Sequence, residues 1–313
     1  MSTEYLLWLQ TIRNDFLDNV LLGISDLVVS PVIYIIIAVV YWCFNKRAAL
    51  FLAMNIGIGS MVNQTLKNIF CVYRPWIKNP EIVPVKAALE NATGYSFPSG
   101  HTQIATSGFL SIAVWQKKRK WIVAACILLI FLIMFTRNYL GVHTLSDVIV
   151  SFFVASLVVF LNSRILEWVD NGKNRDIIVS ASGIITSVLL LLYLTFKSYP
   201  VDYNPDVSLL VNPEHMIDDC YVACGCVTGF FIGWILERRF VNFNTDITLT
   251  KRILRGILGA AVMLLYMWLL RESLTSFSAR WGELVFFCGA FILILYGYPV
   301  LFSKLEKNKH ECC

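Results

Sequence analysis

Thr136-Arg137-Asn138-Tyr139-Leu140-Gly141-Val142-His143-Thr144-Leu145-Ser146-Asp147 places an arginine, a histidine and a carboxylate between two long apolar runs, residues 121–138 and 144–166. Both runs approach the length that crosses a bilayer. Gly141 is expected to break one membrane helix, with the next beginning near His143. His143 and Asp147 then stand four apart on one helical face, where their side chains can meet. A carboxylate there holds one imidazole nitrogen and leaves the lone pair of the other aimed outward as a nucleophile or base. Arg137 offers the positive fork that a phosphate or carboxylate needs. The same spacing also describes a helix-start histidine satisfied by a neighbouring acid.

Composition sets the class around that stretch. Of 313 residues, 57% are hydrophobic and 15% charged, and the mean hydropathy of +0.66 is too high for a water-soluble domain. An all-α polytopic membrane protein is expected. The net charge of +5 sits in short clusters between apolar runs, so no nucleic-acid partner is expected. The nine cysteines fall mostly inside apolar segments and form neither a disulfide framework nor a metal site. Cys312-Cys313 would matter only as a lipidation site in a eukaryotic cell. The sequon Asn91-Ala92-Thr93 counts only in a protein that passes through an endoplasmic reticulum.

In chain order, residues 5–29 carry Trp8, Ile12, Phe16 and Val20 opposite Arg13, Asp15 and Asp18, the pattern of one amphipathic helix. Pro31 restarts the chain into a run that ends at Phe44. Further apolar runs lie at 48–70, 102–116, 121–138, 144–166, 176–196, 215–236, 252–270 and 281–302, which gives about ten membrane helices. Lys46-Arg47, Lys117 to Lys120, Arg164 with Lys173 and Arg175, Arg238-Arg239 with Lys251-Arg252, and Lys304, Lys307 and Lys309 all fall on one side. Basic loops mark the cytoplasmic face. The loop 71–100, the turn 138–143, the acidic loop around Asp202 and Asp206, and the 271–280 connection face the other way. Both termini are therefore expected in the cytoplasm, and the reactive stretch outside it.

Two further motifs share the outer side. Lys67, near the end of one apolar run, is followed by Arg74-Pro75; alone, such a lysine could simply snorkel to the interface. Phe97-Pro98-Ser99-Gly100-His101-Thr102 heads the next run. Ser99 is a good N-cap, and Gly100 lets backbone approach a ligand, so the first-turn amides offer an anion site.

In order, Lys67 with six residues to Arg74-Pro75, then Pro98-Ser99-Gly100-His101, then Arg137 with five residues to His143 and three more to Asp147, resembles the tripartite signature of the type 2 phosphatidic acid phosphatase (lipid phosphate phosphatase) family, in its bacterial membrane branch. The superfamily also holds glucose-6-phosphatase and the vanadium haloperoxidases. Thr136 stands where the family usually has serine, which keeps the hydroxyl. The resemblance covers about residues 5–166. It implies a six-helix phosphatase core over residues 1–170 and about four additional transmembrane helices as an extension over 171–313.

It also implies roles. His143 would attack phosphorus and form a phosphohistidine, Asp147 would orient it, and His101 would protonate the leaving oxygen and then activate water. Lys67, Arg74, Ser99, Gly100 and Arg137 would hold the phosphoryl oxygens, with no metal and no cofactor. The expected activity is hydrolysis of a lipid-linked phosphate or diphosphate at the extracytoplasmic surface of the cell membrane. An isoprenoid diphosphate such as undecaprenyl diphosphate is favoured, followed by phosphatidic acid or phosphatidylglycerol phosphate. A haloperoxidase fits poorly, because that branch is soluble. A non-catalytic lipid transporter or scaffold would tolerate loss of the motif residues.

The extension is less legible. Gly225, Gly229 and Gly233 form a close-packing face that would suit the core or, in a homodimer, a second copy of the chain. His215, Asp218 and Asp219 open a helix on the outer side, where first-turn acids suit the helix dipole and a gating role is the lesser alternative.

Overall fold

A computed structural model describes residues 2–203 and 209–308. Asp206, Lys309 and the Cys312-Cys313 pair lie outside the described residues. Among those described, the regular elements are helices, with one isolated bridge between Tyr203 and Leu209. In chain order they are α1 (Ser2–Thr11), α2 (Asp15–Val29), α3 (Val32–Cys43), α4 (Lys46–Phe70), the short α5 (Pro75–Lys78), α6 (Gly100–Trp115), α7 (Lys120–Tyr139) and α8 (Leu145–Asp170), then α9 (Arg175–Phe196), α10 (Glu214–Leu236), α11 (Leu249–Phe277), α12 (Ala279–Ile292) and α13 (Tyr298–Asn308).

Among the described residues, seven helical stretches are long and apolar enough to cross a membrane, or eight if α2 and α3 form one broken span. The expected ten overcounts. The amphipathic stretch 5–29 is two helices, because Asn14 leaves the helical conformation and its side chain accepts from Leu17 N as the cap of α2. α1, with ten residues, reaches about 15 Å, half the hydrocarbon thickness. The 16-residue α6 falls just short of the usual spanning length.

The chain forms two compact units, and neither is a sequence half. Unit 1 comprises residues 1–30, 58–161 and 193–220; unit 2 comprises 31–57, 162–192 and 221–313. The segments on either side of residue 170 therefore each contribute to both units.

In unit 1, α6 and α7 pack side by side, with α2 against both and α1 against α7. Val28, Ala105 and Ile133 share one core cluster; Leu21, Tyr139, Leu140 and Val142 share another, nearer the loops. Leu6 and Leu9 of α1 bury against Ile82. Gln10 Nε2 donates to Glu81 O (3.3 Å), and Val83 N donates to Gln10 Oε1 (2.9 Å). Arg13 Nε donates to Tyr139 O (2.8 Å) and its Nη1 to Val83 O. These bonds fix the N-terminal helix to the loop 79–85 and the end of α7, on the side that carries the turn 138–143. The N-terminus thus shares the side of the reactive stretch, which corrects the expectation that the two lie on opposite faces.

In unit 2, α11 packs on α3 and α12. The glycine face of α10 meets α12 of the same chain: a Cβ on Gly225 or Gly229 would collide with the backbone oxygen of Leu284 or Cys288. Gly233 is also hemmed in, by Leu295 Cβ and Phe291 O. This close-packing face is used inside the chain. Along α9 and α11, Ile178, Ile185, Leu189, Ile257, Leu264 and Trp268 are exposed, as lipid-facing positions would be.

Candidate active site

The reactive residues converge in unit 1 at the end of α4, the start of α6 and the turn between α7 and α8. Lys67, three residues from the end of α4, is 5% exposed, so it does not snorkel. Its Nζ donates to Tyr95 O (2.9 Å) and Pro98 O (3.3 Å), bolting the loop before α6 onto α4. Arg74 caps α5 from an extended conformation and is 3% exposed. Its guanidinium donates to Gly94 O (3.1 Å), Thr93 O (2.9 Å) and Val142 O (2.9 Å). One planar fork thereby clamps two loops, which a lysine could not do.

Ser99 caps α6 as its sequence position suggested, accepting from Thr102 N. Its carbonyl accepts from Ser151 Oγ (2.7 Å) and Asn63 Nδ2 (3.4 Å), and its amide donates to Asp147 O (3.2 Å). The cap therefore also ties α6 to α4 and α8. Gly100 and His101 form the first turn behind it. His101 is buried, and its Nε2 has no hydrogen-bond partner. Arg137, in the last turn of α7, is fully buried. Its Nη1 donates to Ser25 Oγ (2.7 Å), while Nε and Nη2 are unpartnered. Buried donors left without acceptors are costly, and these belong to the residues expected to meet phosphoryl oxygens.

α8 begins at Leu145, two residues later than expected, so His143 lies in the turn before it. Gly141, at φ +75°, makes that turn; a Cβ there would lie 2.6 Å from Arg13 Nη2 and 3.2 Å from Pro84 Cα. Asn138 Nδ2 holds the His143 carbonyl (2.9 Å). Asp147 Oδ2 accepts from Thr144 N (2.8 Å), and Asp147 N donates to Thr144 Oγ1 (3.4 Å), a reciprocal cap on α8. Asp147 therefore caps α8 and also stands beside the histidine.

His143 Nδ1 lies 3.6 Å from Asp147 Oδ2, too far for a hydrogen bond. Ser96 fills the interval: its Oγ donates to Asp147 Oδ2 (2.5 Å) and lies 3.3 Å from His143 Nδ1. Sequence reasoning passed over Ser96, which stands two residues before Pro98 and carries no motif of its own. On the other edge of the ring, Arg74 Nη1 is 3.1 Å from His143 Nε2. A guanidinium can only donate, so Nε2 presents its lone pair and Nδ1 carries the proton. Burial, followed by the positive charge of Arg74, holds the His143 pKa well below its ordinary value. Among the described residues, Lys67, Arg74 and Arg137 have no carboxylate within ion-pair distance, so this cluster favours an anion.

The segment 193–220 closes on the same unit. Met216 Sδ accepts from Tyr95 N, Asn68 Nδ2 meets Cys220 Sγ (3.1 Å), and Gln64 Nε2 donates to Asp219 Oδ2 (3.2 Å). Asp219 is thus joined to the helix that carries Lys67, a contact that sequence alone did not indicate.

The PAP2 superfamily model matches residues 48–170, and the model described as PAP2 superfamily phosphatase, transmembrane extension, matches 221–310. The chain is 30% identical over 164 residues to phosphatidylglycerophosphatase B of Bacillus subtilis (strain 168), covering 48% of this chain and 75% of that protein. The chain belongs to the PAP2 superfamily. The chain is also similar to lipid phosphate phosphatase delta of Arabidopsis thaliana, 27% identical with 72% of this chain and 54% of that one covered, and to undecaprenyl-diphosphatase of Sulfolobus acidocaldarius, 27% identical with 39% and 56% covered. The chain therefore spans about half the length of these two. A crystal structure of the first transmembrane PAP2 type phosphatidylglycerolphosphate phosphatase from Bacillus subtilis matches with a TM-score of 0.46 at 24% identity, over 54% of this chain and 85% of that one. In this PAP2 chain Thr136 is buried and its hydroxyl donates to Ile133 O (2.7 Å) within α7.

Proposed function

We propose that the protein is an integral membrane phosphatase that hydrolyses a lipid-linked phosphate or diphosphate through a phosphohistidine on His143. The observation that carries this reading is the contact between Arg74 Nη1 and His143 Nε2. It sets the tautomer a nucleophile needs and places a cation where a phosphoryl oxygen would arrive.

In the first step the Nε2 lone pair bonds to phosphorus as the bond from phosphorus to the leaving oxygen breaks. His101 gives that oxygen a proton where the leaving group needs one. Ser96 and Asp147 hold the Nδ1 proton and stabilise the charge that forms on the ring. Arg74, Arg137, Lys67, Ser99 and the Gly100 amide hold the phosphoryl oxygens. In the second step His101 takes a proton from water, the water oxygen bonds to phosphorus, and the bond to Nε2 breaks. The cations supply the charge stabilisation that a metal would otherwise provide.

The favoured substrate is an isoprenoid diphosphate such as undecaprenyl diphosphate, approached from the extracytoplasmic surface of the cell membrane. The name of the Sulfolobus relative supports it. The 30% identity to a phosphatidylglycerophosphatase supports phosphatidylglycerol phosphate as the second reading, with phosphatidic acid beside it. The family matches at 48–170 and 221–310 support a catalytic segment, 1–170, followed by an extension, 171–313.

Phosphate release by the purified protein from a panel of lipid phosphates in detergent, with and without EDTA, tests the reading. Turnover should survive chelation; loss in EDTA with recovery in magnesium would contradict the metal-free mechanism. With terminally labelled diphosphate, His101→Ala should trap acid-labile, base-stable label, and His143→Ala should trap none. Label retained by the His143 variant would assign the nucleophile elsewhere. No phosphate release by the parent, together with a cellular role that the His143 variant still fulfils, would favour a scaffold or transporter.

A further inference from the structure

Unit 2 contains a cavity of about 460 Å³, within the range that small ligands occupy. None of its lining residues belongs to the candidate active site. One wall is the turn that follows α10, where residues Glu237–Val241 widen into a π-helix and Asn242 takes a left-handed conformation (φ 42°). Such departures need anchoring. Here buried Glu237 supplies it, with Oε1 accepting from Lys46 Nζ (2.6 Å) and from Phe243 N (3.1 Å).

The opposite walls are the first turns of α11 and the end of α13. Arg255 and Glu306 join them through a two-pronged pair, Nε to Oε1 at 2.7 Å and Nη2 to Oε2 at 2.8 Å. Arg255 Nη1 donates to Trp42 O (3.2 Å) and Asn244 O (2.9 Å), and its guanidinium carbon lies 4.0 Å from the centre of the Phe302 ring. The carboxylate of the lining is thus neutralised by a guanidinium that is itself fully engaged. Two lysines that line the same cavity, Lys251 and Lys304, have no carboxylate within ion-pair distance among the described residues. The lining therefore carries an uncompensated charge of about two positive units beside Phe240 and Phe243.

We propose that this cavity is a second anion site, taking a phosphate group through Lys251 and Lys304, either on the headgroup of an anionic lipid or as free phosphate. Lysine ammonium groups bind phosphate as point charges, and Ser303 and Asn242 add neutral polar groups to the lining. Lys251 belongs to the basic cluster that the charge rule assigns to the cytoplasmic face, whose leaflet is rich in anionic lipid. The proposal is independent of the phosphatase reading.

The test uses the full-length protein in detergent and counts retained dihexanoyl phosphatidylglycerol by native mass spectrometry. The parent is compared with the Lys251→Gln/Lys304→Gln double variant, with dihexanoyl phosphatidylcholine as the zwitterionic control. The double variant should retain one phosphatidylglycerol fewer, with half-saturation about tenfold weaker, and Lys251→Arg/Lys304→Arg should restore it. Displacement by inorganic phosphate assigns the site to free phosphate, and resistance to it assigns the site to a lipid headgroup; either upholds the proposal. Equal retention by parent and double variant overturns it, as does an equal loss of phosphatidylcholine. Should the double variant fail to fold, Ser303→Glu sets a negative charge in the cavity and should weaken retention in the same sense; no change there also overturns the proposal.

Discussion

Replacing Ser96 by alanine removes the hydroxyl that stands between His143 Nδ1 and Asp147 Oδ2. The direct separation of 3.6 Å must shorten by about 0.7 Å to reach an ordinary hydrogen bond, yet the His143 carbonyl is held by Asn138 and its ring nitrogen Nε2 by Arg74. Without that shift, the Nδ1 proton and one carboxylate oxygen each lose a partner. A hydrogen bond to a charged group contributes about 1.5–3 kcal/mol, which corresponds to a loss of roughly ten- to a hundred-fold in kcat/KM if it is expressed in the transition state. Ser96 touches no phosphoryl oxygen in the proposed mechanism, so kcat should fall with KM nearly unchanged. Phosphate release from phosphatidic acid at saturating and limiting substrate separates the two constants. Because Ser96 stands between His143 and Asp147 in one relay, the losses should not add, and the Ser96→Ala/Asp147→Ala double variant should be about as slow as Asp147→Ala alone. Additive losses, or a Ser96→Ala enzyme within about twofold of the parent, would refute the relay.

Four other outcomes follow from the geometry. The depressed pKa of His143 keeps Nε2 unprotonated as pH falls, so the acid limb of kcat/KM should lie below about pH 6.5, and Arg74→Gln should move the limb of the residual activity upward. The same depression means that the unfolded chain binds this proton first, so stability from this group is complete above about pH 6.5 and declines below it; denaturation midpoints across pH check the sign. Cysteines at Thr3 and Glu81 should react with an impermeant thiol reagent from one side of the membrane and a cysteine at Lys118 from the other; labelling of Thr3 together with Lys118 would contradict the placement of α1. Gly229→Ala should lower the melting temperature without changing the oligomeric state, because its Cβ meets the Cys288 backbone within the chain, an overpacking cost of about 1–3 kcal/mol; scanning calorimetry and light scattering read the two separately.

The sequence by itself determined the membrane class and the identities of the eight candidate site residues, because hydropathy and motif spacing are properties of the chain order. It also located the α6 cap at Ser99, since capping depends on a few adjacent residues. Long-range placement was decided by tertiary structure. Residues 5–29 read as one helix because their apolar spacing continues through the break at Asn14, and only the docking of Leu6 and Leu9 on Ile82 put the N-terminus beside the reactive turn. The glycine face of α10 could have served a second copy or the same chain, since both require the same small residues; the position of α12 made it internal. Ser96 was invisible because a serine acquires a role only from what the fold sets around it, here a histidine and an aspartate 47 and 51 residues away. The sequence named the groups that can do the chemistry, and the fold determined which of their nitrogens and oxygens meet, because hydrogen bonds depend on distances of a few tenths of an ångström that no residue order encodes locally.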